Sequence, residues 1–364
     1  MLGLPCLTPA CDVVQFINDP RPTFQQTWSI PTANSAISVG TLIPNNVSIF
    51  STPGSNPPDS SAFELNINNT VFSRRVGQDC PACVTQNGST TTKPAFILAA
   101  GGSSPLPTDV LSAPLATATV NYTIVNNLSF DPIRIRPVSD PNQGFMIVIV
   151  RSGSVVLGRD SLNGATTAFP AGSSITRPVT MSSGTMTSLI QVDLTINSPA
   201  GDPAQPVLIN ANGTVNTTVT YAAVHTNNVR INVNNKQISN DPDTLDLEGL
   251  NESFSKRVVS GRMEMSISNP WPVAGDVGLN FTPDSSPAAP VAKTLPMPSV
   301  APTPGPQLRA VDFNTNEMQN LLGKKVVLTM TGPVTSPTPI TVTPKQAITI
   351  VNRMVLVVRT GSGQ

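Results

Sequence analysis

The chain has 37 prolines among its 364 residues, spread along its whole length. A proline inside a helix removes a backbone donor and clashes with the preceding turn. At this density, little room is left for long helices. Between the prolines lie short runs rich in Val, Ile, Thr and Leu, residues suited to a pleated, half-buried surface. Some runs alternate strictly. Phe63, Leu65 and Ile67 are separated by Glu64 and Asn66. Period-two alternation means one buried face and one wet face. The pattern predicts an all-β fold of antiparallel sheets joined by turns.

The chain also resembles itself. Val120, Tyr122 and Ile124, followed by Asn126, parallel Met263, Met265 and Ile267, followed by Asn269. Val192 to Pro199 parallels Val326 to Pro333, and Pro206 to Ile209 parallels Pro339 to Val342. Val215 to Val219 and Ile348 to Val351 close the two copies. The spacing is roughly 135–145 residues, with units of about 110, the size of one β-sandwich. The expectation is tandem immunoglobulin-like sandwiches over 117–235 and 257–364, joined by a linker over 236–256. An irregular β-rich N-terminal domain would occupy 12–116. Phe145 to Leu157 reads as a hairpin turning at Gly153, with a first strand apolar on both faces and therefore central. One short helix is expected over 316–322, capped by Asn314 or Thr315 and stopped by Gly323. The segment Pro283 to Pro306 should be an extended polyproline-like loop or an edge crossing.

Charge excludes several functions. Charged residues are only 12% of the chain, and 21 basic side chains cancel 21 acidic ones. A neutral chain offers no electrostatic footprint to a polyanion, so no nucleic-acid partner is expected. The longest apolar runs, Phe145 to Val150 among them, are far short of a membrane span. Residues 1–11 are apolar and place Ala10 before Cys11. They resemble the remnant of a bacterial lipoprotein signal, which makes Cys11 a lipidation candidate. The alternative is an ordinary N-terminus with two thiols, Cys6 and Cys11.

Cys80 and Cys83 form a C-x-x-C pair in flanks that read as a loop. A redox pair wants a helix N-terminus, zinc wants a second ligand pair, and haem attachment wants His where Val84 stands. The expectation is a small loop-closing disulfide, with redox and metal readings left open. His225 is the single histidine and lacks a nucleophile elbow, so it reads as structural. The acids from Asp241 to Glu248 lack the spacing of a calcium loop. Sequons at Asn46, Asn68, Asn121, Asn212, Asn216 and Asn280 are expected from composition alone. No catalytic, metal or cofactor-binding residue is assigned.

Ser268, Asn269, Pro270, Trp271, Pro272 and Val273 sit between two alternating strands. This run resembles the Asn-Pro-aromatic-Pro signature of the water-stress and hypersensitive-response domain of late-embryogenesis-abundant type 14 proteins. The layout is also similar to that of bacterial envelope lipoproteins with tandem domains. The resemblance implies a β-sandwich without catalytic residues. Low charge, open antiparallel edges, tandem sandwiches and the lack of a plausible active site lead to the expectation of a non-enzymatic scaffold of the cell envelope, at the periplasmic or outer face, held peripherally or by a lipid anchor. Its partners would be protein subunits of a membrane-bound complex, a photosynthetic reaction centre with its antenna being one version. Two alternatives stay open, a carbohydrate-binding or adhesive module and a phage or viral surface protein.

Overall fold

A computed structural model describes residues 24–51, 61–134, 142–181, 183–250, 252–284, 289–297 and 305–360. The chain begins with a long strand, β1 (Phe24–Ser38), and a 3-10 turn at Val39–Thr41. Then follow β2 (Val47–Phe50), β3 (Ala62–Leu65), β4 (Thr70–Arg75), the one-turn helices α1 (Val76–Asp79) and α2 (Pro81–Thr85), β5 (Thr90–Thr91), β6 (Phe96–Pro105) and β7 (Val110–Asn127). Next come β8 (Phe145–Ser152), β9 (Val155–Asn163), β10 (Ser174–Met181), β11 (Thr185–Thr187), β12 (Leu189–Ser198), β13 (Val207–Leu208), β14 (Thr214–Thr226) and β15 (Val229–Ile231). The last third holds β16 (Lys236–Ser239), β17 (Asp243–Asp246), α3 (Glu252–Ser255), β18 (Val258–Ser268), β19 (Ala274–Pro283), β20 (Val291–Met297), β21 (Gln307–Phe313), α4 (Thr315–Leu321), β22 (Lys325–Thr335), β23 (Ile340–Val342) and β24 (Ala347–Thr360). Every strand pairing among the described residues is antiparallel, and the fold is all-β, as the prolines and alternation require.

Two sandwiches share one connectivity. In the first, β4-β14-β7-β10 faces β6-β12-β8-β9. In the second, β1-β24-β18-β21 faces β16/β17-β22-β19-β20. If the strands of each are numbered one to eight along the chain, both have sheets in the order 1-8-3-6 and 2-7-4-5. That is the order of the eight-stranded jelly roll, a double Greek key. The antiparallel sandwiches are as expected, but this is a different order from the immunoglobulin one expected from sequence, in which seven strands divide four and three. The four stretches of self-resemblance fall on equivalent strands: β7 with β18, β12 with β22, β13 with β23, and β14 with β24. Val120, Tyr122 and Ile124 are buried, as are Met263, Met265 and Ile267.

The strand pairings correct the expected boundaries. Among the described residues, 24–51 and 61–116 do not form a domain of their own. β4 and β6 are the first two strands of the first sandwich, whereas β1 pairs along its length with β24 and is the first strand of the second. The first sandwich is therefore inserted between the first and second strands of the other. The supposed linker 236–256 holds β16 and β17, which pair with β22 and bury Ile238, Leu245 and Leu247. Its acids suggested solvent, but alternate residues still face a core. Part of the Pro-rich segment is the edge strand β20, with Pro296 within it; its residues 285–288 and 298–304 lie outside the described residues. The sandwiches are also joined by hydrogen bonding, because β23 of the second pairs with β15, and β15 with β7.

Local expectations about turns hold. β8 lies between β12 and β9, and its hairpin turns at Gly153 with φ +58°. α4 is capped by Asn314, whose Oδ1 accepts from the Glu317 amide at 3.0 Å, while Glu317 accepts from the Asn314 amide at 2.9 Å. Gly323, at φ +76°, follows its C-cap.

Candidate functional site

Cys80 and Cys83 are disulfide-bonded, with Cα atoms 5.2 Å apart, and both are buried. The flanks are not a loop. Cys80 caps α2, its Sγ accepting from the Cys83 amide at 3.1 Å, and Pro81 fills the first helical position, where a missing N–H costs nothing. α1 is held by Arg74, which donates to both Asp79 oxygens at 2.9 and 2.7 Å. That guanidinium holds the Asp79 carboxyl below its usual range, against the opposing effect of burial. Cys11 lies outside the described residues.

His225 packs against Phe50, with ring centroids 4.1 Å apart and the planes tilted by 38°, and its Nδ1 lies 3.3 Å from Thr117 Oγ1. The acids from Asp241 to Glu248 run from just before β17, along it, and into the turn after it. Asp246 accepts from the Glu248 amide, and Glu248 pairs with Lys325 at 3.7 Å. Among the described residues, no three His, Cys, Asp or Glu side chains converge as metal ligands. Trp271 is buried, and its indole donates to Gln346 Oε1 at 3.1 Å, so the Asn-Pro-Trp-Pro run acts in packing. Trp28 is 44% exposed.

Two polar clusters escaped the sequence reading, because their members lie far apart in the chain. Lys93 is buried, and its ammonium donates to the carbonyls of Asp131 and Pro132 and to Ser198 Oγ at 3.3, 3.1 and 3.1 Å. Burial pushes it down to about 8, opposed by the charge of Asp131. Sealed by three oxygens, it clamps the loop after β7. In the other cluster, Tyr122 donates to Asp160 Oδ2 at 2.6 Å, and Arg177 Nε donates to the same oxygen at 2.8 Å. Burial, then the bond to Asp160, raises the Tyr122 phenol. Burial works to raise the Asp160 carboxyl, but its two partners hold it low. Beside this cluster, a cleft of about 510 Å³ is lined by Phe145, Arg159, Ser161, Asn163, Thr167 and Arg177, among others. Arg177 is already paired there, which leaves Arg159 and the neutral groups to face a ligand. The shifted carboxyls Asp79, Asp160 and Glu317 all move down, away from the range of a general acid or base at neutral pH.

The remaining surface of note is apolar. Phe24, Val71, Ile97 and Leu308 are each more than half exposed, and β1, β9, β20 and β21 are edge strands. No helix among the described residues is long and apolar enough to cross a membrane.

No family model matches the chain, and no curated protein does. Among solved structures, a protein from Parabacteroides distasonis ATCC 8503 is 9% identical over 93% of this chain and 100% of its own, with a TM-score of 0.31. The broad bean stain virus structure is 9% identical over 92% of this chain and 90% of its own, with a TM-score of 0.21. The CBM22-1-CBM22-2 tandem domain of Paenibacillus barcinonensis Xyn10C is 8% identical over 88% of this chain and 96% of its own, with a TM-score of 0.19. Similarity this low carries no argument about function, and the assignment of an all-β, tandem-sandwich fold rests on the strand pairings themselves.

Proposed function

We propose that the chain is a non-enzymatic structural subunit, which works by packing against further protein subunits in a closed shell. The observation that carries this reading is the doubled jelly-roll strand order. Jelly rolls recur in viral capsids, lectins and cupins, so the step from fold to shell is one of fold-level analogy. Three features support the shell among these. Two rolls are joined through β15 and β23 into one block. The net charge is zero, so copies do not repel each other. The polar clusters are consumed in holding strands and loops together. Of the readings that the sequence leaves open, this is closest to the viral surface protein. Bracing a membrane complex in a cell envelope uses the same surfaces with a different partner. The Cys80–Cys83 bond supports exposure to an oxidising compartment in either case.

Light scattering, sedimentation and negative-stain imaging of the full chain, across concentration and salt, test the reading. Closed particles or discrete large multimers are expected. A 38.1 kDa monomer under every condition would overturn it. A second reading draws on one observation, the exposed Phe145 ring beside Arg159, Asn163 and Ser161 in the cleft. An aromatic face with hydrogen-bonding neighbours suits a sugar ring, and a glycan array without hits would remove it.

A further inference from the structure

Sheet edges invite pairing with other chains, and folded proteins defend them with charge, proline, shortness or cover. Most long edges here are defended. β10 carries Arg177 and Pro178, β9 carries Arg159 and Asp160, β20 carries Lys293 and Pro296, and β21 carries Arg309 and Asp312. β6 is uncharged but covered, since its Ala99 amide donates to Asp79 Oδ2 at 3.3 Å. β1 differs from all of these. Among the described residues it pairs with β24 alone, none of its 15 residues is charged, and its one proline, Pro31, lies beyond Phe24–Ile30.

The faces of this segment are also unusual. Gln26, Trp28 and Ile30 pair with Val358, Leu356 and Met354, which are buried. Phe24, Gln26, Trp28 and Ile30 therefore share the inward face. Yet Phe24 is 63% exposed and Trp28 44%. The cover on this end of β1 is partial: β17 of the opposing sheet touches β1, and α3 brings the Phe254 ring to 5.1 Å from Trp28, yet the Phe24 and Trp28 rings stay exposed.

We propose that the free edge of β1 pairs with the same edge of a second copy of this chain, antiparallel, about a two-fold axis at Thr27. In this register Phe24 opposes Ile30 of the partner subunit, and Gln26 opposes Trp28 of the partner subunit. A two-fold joins like with like. Antiparallel partners point to the same side of a sheet, so a slip by one residue would turn one copy over. Centring on Thr27 aligns all seven residues and puts both sets of aromatic rings on one face, where aromatic and β-branched cross-strand pairs stabilise a sheet. No charge is buried in doing so. The occupant is a second copy because one two-fold sets Phe24 against Ile30 of the partner subunit twice and covers both exposed rings with no charge between them. The inference rests on the shell reading and names one contact through which such copies would join.

Thr27 lies on the outward face, on the axis, so substitutions there spare the aromatic rings. The full chain with Cys6→Ser, Cys11→Ser and Thr27→Cys should form a covalent dimer under mild oxidation on a non-reducing gel. The same background with Thr349→Cys, on the outer face of β24, should stay monomeric. Thr27→Lys should abolish the dimer in sedimentation with an unchanged far-UV spectrum. If the Thr27→Cys chain stays monomeric while multimers still form, this interface is overturned and the shell reading survives. If multimers form at no concentration, both fall.

Discussion

Asn126 and Asn269 stand at the same turn of their respective sandwiches, where β7 and β18 end. Each accepts from the amide two residues on, Leu128 at 2.9 Å and Trp271 at 3.0 Å. Each also donates to the carbonyl four residues on, Phe130 at 3.0 Å and Val273 at 3.5 Å. Neither needs the left-handed conformation allowed to asparagine, since neither has a positive φ. Asn126 adds a bond to the Phe169 carbonyl at 2.7 Å and is fully buried. Removing it strands three backbone groups away from water. Asn126→Ala should cost about 3 kcal/mol and Asn269→Ala about 1 kcal/mol, as read by urea denaturation. Equal costs would contradict this account. The carboxyls Asp79, Asp160 and Glu317 set the acid limit. Each has a folded pKa below its unfolded value. Their contribution is present above about pH 4 and is lost as pH falls through the folded values, because the unfolded chain then binds more protons. Thermal stability should be flat from neutral pH to about 5 and decline below about 4, and Asp160→Asn should flatten that decline.

At the level of elements, two glycines show different constraints. Gly153 turns the β8–β9 hairpin at φ +58°, with open space around its Cβ position. Asparagine tolerates that conformation, so Gly153→Asn should stay within about 0.5 kcal/mol of wild type. Gly275 of β19 lies against β22, and a Cβ there would stand 2.0 Å from the Pro333 carbonyl oxygen. That oxygen is backbone and cannot swing away. Gly275→Ala should therefore cost about 2 kcal/mol or more and loosen the β19–β22 pairing, as seen by amide exchange. The turn glycine was legible in sequence because two strand-like runs flank it. The second was not, because close approach depends on which strand lies alongside.

For the whole molecule, the insertion of one sandwich into the other has a mechanical consequence. β1 precedes the first sandwich in the chain but completes the second. Ile37, fully buried, pairs with Ile348. Ile37→Ala should cost about 2–5 kcal/mol, the range for truncating a buried aliphatic side chain. Its effect should fall on the second sandwich. Amides of β24 and β18 should lose protection from exchange, while those of β12 and β8 keep theirs. Equal loss in both sandwiches would mean that they unfold as one unit.

What the sequence determined by itself was local. Prolines excluded long helices, alternation named the strands and their buried faces, and self-resemblance matched four pairs of strands that occupy equivalent places. The short helix and its capping box were also legible, since their partners lie within four residues. The tertiary structure alone decided the rest. Alternation says which side of a strand is buried but not which strand lies beside it, so the jelly-roll order and the placement of β1 beside β24 had no local signal. The expected boundaries at 116 and 236 fall inside β7 and at the start of β16 for the same reason. Lys93 and Ser198 meet because the segment before β6 runs beside β12, and Tyr122, Asp160 and Arg177 meet because β7 pairs with β10 while β9 of the facing sheet lies beside β10. Such clusters depend on long-range contacts, and a sequence read along one dimension holds no distance between their members.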